Sequence, residues 1–114
     1  MSINEEIKRT VGQLVPLCVP SPYTPTPDKI NSTEYVTFNY TALGDDFGDD
    51  TANAIRYLLQ IHWFLPTGTN PMKKKKQIKR ALLDMGCTYP EVFDASDEDG
   101  QHFAFEAEYT DGDV

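Results

Sequence analysis

The stretch that most constrains the fold is Ala54-Ile55-Arg56-Tyr57-Leu58-Leu59-Gln60-Ile61-His62-Trp63-Phe64. Its β-branched and aromatic content, and the Pro66-Thr67-Gly68 turn after it, mark a strand. Ile55, Tyr57, Leu59, Ile61 and Trp63 fall on one side of a two-residue repeat, while Leu58 and Phe64 add apolar groups to the other. A strand apolar on both sides belongs inside a sheet, with neighbours on either hand. The reading is therefore a central strand over 54–65. A shorter run of the same kind, Glu34 to Tyr40, precedes it and supplies a strand over 34–40. Between them lies an acidic loop over 41–53 containing Asp45-Asp46-Phe47-Gly48-Asp49-Asp50.

The remaining segments fall into place around this pair. Ser2 and Glu5 have capping-box spacing, and Ile3, Ile7, Val11 and Leu14 recur at three- and four-residue intervals, so a helix is expected over 3–15. Pro16 stops it. Prolines at 16, 20, 22, 25 and 27 make 16–31 an extended strap, a reading favoured over a peptide-recognition motif. Asn70-Pro71 opens a second helix over 70–86, with Ile78, Ala81, Leu82 and Met85 as its buried stripe and Gly86 as its stop. Cys87–Phe93 reads as a short strand confined to an edge by Pro90. An acidic turn over 94–100 leads into an alternating strand over 101–109, and 110–114 read as an acidic tail. With 114 residues the chain has material for a single modest core, read as one domain over 1–114.

The formal charge of -8 argues against unaided binding to duplex DNA. It is unevenly spread: Lys73, Lys74, Lys75, Lys76, Lys79 and Arg80 lie within eight positions, and nine acidic residues follow position 90. At about 100° per residue, Lys73, Lys76 and Arg80 face away from the apolar stripe. Lys74 and Lys75 point back towards it and must either reach past the core edge or meet acids from elsewhere. Opposed charge in two segments suits head-to-tail contact between copies, or with a partner. The interface candidates are those six basic residues together with Asp97, Glu98 and Asp99.

The motifs of common chemistries are missing. Placing Gly100 at the sixth position of a calcium loop puts Ala95 at the first and no glutamate at the twelfth, so no dedicated metal site is expected. Cys18 and Cys87 give neither a disulfide framework nor a zinc spacing, and read as reduced, partly buried thiols. His62 and His102 are the candidates for acid–base work near neutrality, and come together if their strands pair, but nothing sets a nucleophile or carboxylate beside both. The expectation is a protein without enzymatic activity or cofactor. No continuous apolar core resembles a secretory leader, and no run approaches the ~20 apolar residues that span a membrane, so a reducing cytoplasm is expected as the place of synthesis.

Four stretches together carry a resemblance: Val15-Pro16-Leu17; Tyr35-Val36-Thr37-Phe38; Gln60-Ile61-His62-Trp63-Phe64; and Asp94 through Gly100 to Phe103-Ala104-Phe105-Glu106-Ala107-Glu108-Tyr109. In their order and wording the chain resembles the tail terminator (tail-completion, tail-to-head joining) proteins of long-tailed bacteriophages, over roughly residues 11–109. It departs from their pattern in its four-lysine run and in Pro90. The resemblance implies an α+β fold, with a four-stranded mixed or antiparallel sheet carrying two helices. It also implies a homo-oligomer, a hexameric ring in the virion neck that is assembled in the host cytoplasm. Such a ring caps the tail tube protein, meets the head completion or connector protein, and passes DNA through its lumen without specific binding. Asp45, Asp46, Asp49 and Asp50 are then candidates for a lumen or partner-facing loop. The rival expectations are another head-to-tail connector ring protein and, from a different class, an acidic inhibitor that mimics nucleic acid.

Overall fold

In a computed structural model, which describes residues 2–29, 32–43, 55–98 and 100–111, the chain is a mixed α+β protein with one five-stranded sheet and two helices. The elements in order are α1 (Ile3–Thr10), a 3-10 turn (Val11–Gln13), β1 (Cys18–Pro20), β2 (Tyr35–Leu43), β3 (Ile55–Leu65), α2 (Met72–Met85), β4 (Glu91–Asp94) and β5 (Gln101–Asp111). The sheet order is β1-β2-β3-β5-β4, and only the β1–β2 pairing is parallel. β3 is thus the middle strand. It pairs with β2 from Leu43↔Arg56 to Tyr35↔Phe64, and with β5 from Ile55↔Asp111 to Leu65↔Gln101.

The fifth strand corrects the four-stranded expectation. Cys18-Val19-Pro20, inside the proline strap, runs alongside Val36-Thr37-Phe38. Prolines are tolerated here because of position. Ser21 N–H donates to the Phe38 carbonyl at 2.8 Å, so Pro20 falls where an amide would point outward from the edge, and no ladder bond is lost. The first helix is also shorter than 3–15. Thr10 Oγ1 donates to the carbonyls of Glu6 (2.8 Å) and Ile7 (3.3 Å), a side-chain competitor for backbone acceptors. The chain tightens into a 3-10 turn from Val11, and Val15 ends fully buried. Strand β4 begins at Glu91, because Cys87–Pro90 form the connection from the helix rather than part of the strand.

Helix ends follow local chemistry. Ser2 and Glu5 form the reciprocal capping box, with Oγ accepting from Glu5 N–H at 3.2 Å and Oε1 accepting from Ser2 N–H at 3.0 Å. Asn70 Oδ1 accepts from Met72 N–H at 3.0 Å at the start of α2. Gly86 closes that helix at φ 106°, with Cys87 N–H reaching the Leu82 carbonyl at 3.0 Å, a left-handed ending that only glycine adopts without strain.

Both helices lie on one face of the sheet. Ile3, Ile7 and Val11 from the first segment, and Ile78, Leu82 and Met85 from α2, meet Val36, Phe38, Leu59, Ile61, Trp63, Phe103, Phe105 and Ala107. The opposite face carries Thr37, His62, Phe64, Gln60, Ala104, Glu106, Glu91 and Phe93 in cross-strand register, and no described helix covers it.

Candidate functional site

The basic segment divides by what each residue touches. Lys74 Nζ sits 3.2 Å from both carboxylate oxygens of Glu34, and one of those oxygens also accepts from Trp63 Nε1–H at 3.0 Å. Lys74 therefore meets an acid from elsewhere, at the seam between α2 and the sheet. Lys75 Nζ stands 4.8 Å over the Phe103 ring, a cation–π contact at the core edge. Lys73, Lys76 and Arg80 are exposed. Arg80 Nε donates to Asp84 Oδ1 at 3.2 Å one turn on, an exposed pair of small energetic weight.

Sequence reasoning missed two apolar members of this surface. Lys79 Nζ stands 5.2 Å over the ring of Tyr89, which is 68% exposed, and Leu83 is exposed alongside. Lys76, Lys79, Arg80, Leu83 and Tyr89 line an open concavity of about 460 Å3. An apolar centre rimmed by polar and charged groups is the anatomy of a protein-binding patch. The available signal was the aromatic Tyr89 in a turn just before a proline.

The acidic counterpart is spread over the β4–β5 connection, where Asp94 feels the charge of Lys75, and the uncovered face of the sheet. Asp97 and Glu98 are exposed at the tip of the β4–β5 connection, where Asp97 N–H and Gly100 N–H exchange bonds with each other's carbonyls at 3.0 and 3.2 Å. Gly100 is tightly placed there, since a Cβ would stand 3.1 Å from the Leu65 carbonyl. Asp99 and the loop acids Asp45, Asp46, Asp49 and Asp50 lie outside the described residues. On the uncovered sheet face, Glu91 stands directly opposite Glu106 in the β4–β5 register. Like charges opposite one another destabilise a sheet unless something cationic arrives. Glu106 accepts from Gln60 Nε2–H at 2.9 Å, and Gln60 in turn accepts from Asn39 at 3.2 Å. Glu108, farther along β5, stands 3.7 Å from Arg56.

His62 and His102 do come together. Their strands pair with Phe64 opposite His102 and Ala104 opposite His62, and the diagonal leaves His62 Nδ1 3.0 Å from His102 Nε2. The His102 ring stacks on Phe64 (4.2 Å, 18°), which stacks on Tyr35 (4.4 Å, 10°), while Tyr23 meets Tyr35 edge-on. Burial holds both imidazoles below the usual histidine value, and His62 depresses its neighbour further. Nearby Glu106 opposes the shift at His62, as do Asp97 and Asp94 at His102. Tyr35, Phe64, Leu65, Asp97, Gly100 and His102 help line a cleft of about 140 Å3 at this end of the sheet. The two cysteines are buried in the core, and burial pushes each thiol up to about 11, so both are protonated and unreactive near neutrality.

The fold and these surfaces define a small α+β protein with two oppositely charged patches and a histidine pair between sheet strands. No protein-family model matches the chain, and no curated protein is significantly similar to it. Among the described residues no helix is long and apolar enough to cross a membrane.

Proposed function

We propose that this is a structural assembly protein of a long-tailed phage or prophage. Copies join head-to-tail into a hexameric ring at the upper end of the tail tube, ending tube growth and joining the tail to the head completion complex. The observation that carries this reading is a basic and apolar patch on α2 together with an acidic pair on the uncovered face of the sheet. Lys76, Lys79 and Arg80 surround Tyr89 and Leu83 on the outer side of α2, and Glu91 faces Glu106 on the uncovered sheet face. A heterologous ring needs two different surfaces that fit each other, so that each copy offers one to either neighbour. The resemblance in residues 11–109 supplies the biological setting. The acidic loop residues Asp45, Asp46, Asp49 and Asp50 are assigned to the lumen or a partner, where like charge keeps DNA moving without holding it.

Electron microscopy of particles from a lysate lacking this reading frame tests the proposal. Overlong tubes, or tails of normal length that fail to join filled heads, are the expected results; the first assigns length termination and the second joining alone. Normal infectious particles would overturn the reading. The acidic-mimic alternative is weakened by the basic patch around Tyr89, and regains ground only if the isolated protein captures a DNA-processing enzyme.

A further inference from the structure

The two outer strands of the sheet receive an incoming strand in opposite ways. At the β1 edge the outward positions are Cys18 and Pro20. Cys18 N–H is turned onto the Pro16 carbonyl at 3.0 Å, and Pro20 has no N–H, so that edge presents no donor. At the other edge, Ala95 N–H donates to the His102 carbonyl at 2.8 Å, and antiparallel bonding recurs at every second residue. Glu91 and Phe93 therefore bond to β5, while Val92 and Asp94 turn their N–H and C=O groups outward. Among the described residues β4 pairs with no strand but β5. We propose that β4 takes an extended, acidic segment of a partner protein as an added strand, with the basic concavity on α2 holding its carboxylates.

The chemistry of that segment follows from what flanks the edge. Val92 packs against the core on the helix side, and Lys75 lies over Phe103 with its charge acting on Asp94, so one flank of α2 runs along β4. On the same flank Lys79 reaches Tyr89, just ahead of β4. The concavity of about 460 Å3 lined by Lys76, Lys79, Arg80, Leu83 and Tyr89 therefore adjoins the start of the strand. Residues of an added strand alternate between the two faces. The one opposite Val92, and the next on that face towards Tyr89, point to the α2 side, where Lys76, Lys79 and Arg80 select carboxylates. The residues between them point to the uncovered face, where a neighbour of the half-exposed Phe93 gains by being apolar. A second copy of β4 fits poorly, because antiparallel pairing centred between Val92 and Phe93 sets Glu91 against Asp94 at both ends. Main-chain bonds supply the affinity in such edge recognition, and alternate side chains supply the specificity. The inference shares the α2 patch with the ring reading but requires neither a ring nor a phage setting.

The test is NMR titration of the full chain with a capped peptide of alternating glutamate and valine, with amide hydrogen exchange measured in the free and the bound chain. The expected result is saturable binding, with exchange at the Val92 and Asp94 amides slowed by at least about tenfold. A peptide of alternating lysine and valine should not bind, and full N-methylation of the glutamate peptide should abolish its binding, since it removes every backbone donor. Lys76→Glu together with Lys79→Glu should weaken binding at least about tenfold, and added salt should weaken it in the parent. Val92→Pro deletes one outward N–H and should have a similar effect; if it disturbs folding, the lysine variant and the N-methylated peptide decide. An absence of saturable binding would overturn the proposal. So would binding without protection at Val92 and Asp94, or equal binding of the lysine peptide or the N-methylated one. Particle morphology enters none of these measurements, so the ring reading and this one fail separately.

Discussion

The two faces of the sheet are made from the same strands and differ in almost every physical respect. On the helix-covered face, Phe38, Leu59, Ile61, Trp63 and Phe105 are sealed from solvent in one cluster with residues of α1 and α2. On the other face, Asn39, Gln60 and Glu106 form a hydrogen-bonded polar row, His62 meets His102, and Phe93 is 46% exposed. The first face carries the stability, because apolar area removed from water is the dominant favourable contribution to folding. The second holds a like-charged pair and the half-exposed Phe93, which do little for the isolated chain, beside a stack of rings that leaves Tyr35 buried.

The largest contrast is expected from truncating one phenylalanine on each face. Phe105→Ala should cost about 3–5 kcal/mol, whereas Phe93→Ala should stay within about 0.5 kcal/mol, both read from urea midpoints. An equal cost would mean that Phe93 is covered in the isolated protein, and the contrast would fail.

Acid and alkali should separate the faces next. The Cys18 and Cys87 thiols on the covered face are held up at about 11 against an ordinary 9.0, so the folded chain keeps protons that the unfolded chain releases. Stability should therefore fall as pH rises from 9 towards 11, less steeply in Cys18→Ala/Cys87→Ala. His62 and His102 are held below 6.5, so the unfolded chain takes up protons first, and stability should fall as pH drops below that value. Thermal melts of the parent and of His62→Gln measure the acid limb. A slope that the variant leaves untouched would remove the histidines from the account.

At the seam between helix and sheet, Glu34→Gln removes the charge that holds Lys74 while leaving an acceptor for Trp63. With both side chains about one-third exposed (30% and 34%), solvent screens the pair. The expected loss is about 1 kcal/mol by thermal denaturation. The smallest effect on folding belongs to Glu91→Lys, which turns a like-charged cross-strand pair into an opposite one. It should stabilise the lone chain by about 0.2–1 kcal/mol while weakening head-to-tail association, measured by sedimentation at rising concentration. Stronger association in this variant would sink the proposed pairing of patches.

Much of the architecture was legible along the chain, because it rests on short-range rules. The two-residue alternation of Phe103, Phe105, Ala107 and Tyr109 placed one face of β5 inside, the Ser2–Glu5 spacing announced a cap, and Gly86 marked a helix end. The candidate site was legible only in part. The basic run at 73–80 and the two histidines stood out by type, but their partners did not. Which acid meets Lys74, which aromatic lies under Lys79, and how far His62 stands from His102 are set by strand register and helix placement, over separations of 40 residues for the Glu34 and His102 contacts. β1 was hidden for a related reason. A three-residue strand bounded by prolines is too short to show a period, and its pairing with β2 exists only once β2 lies alongside it. Periodicity and end signals are properties of neighbouring residues, so the sequence alone determined the helices and the long strands. The fifth strand, the Glu34–Lys74–Trp63 seam and the facing histidines are properties of distant residues brought together, and only the tertiary structure decided them.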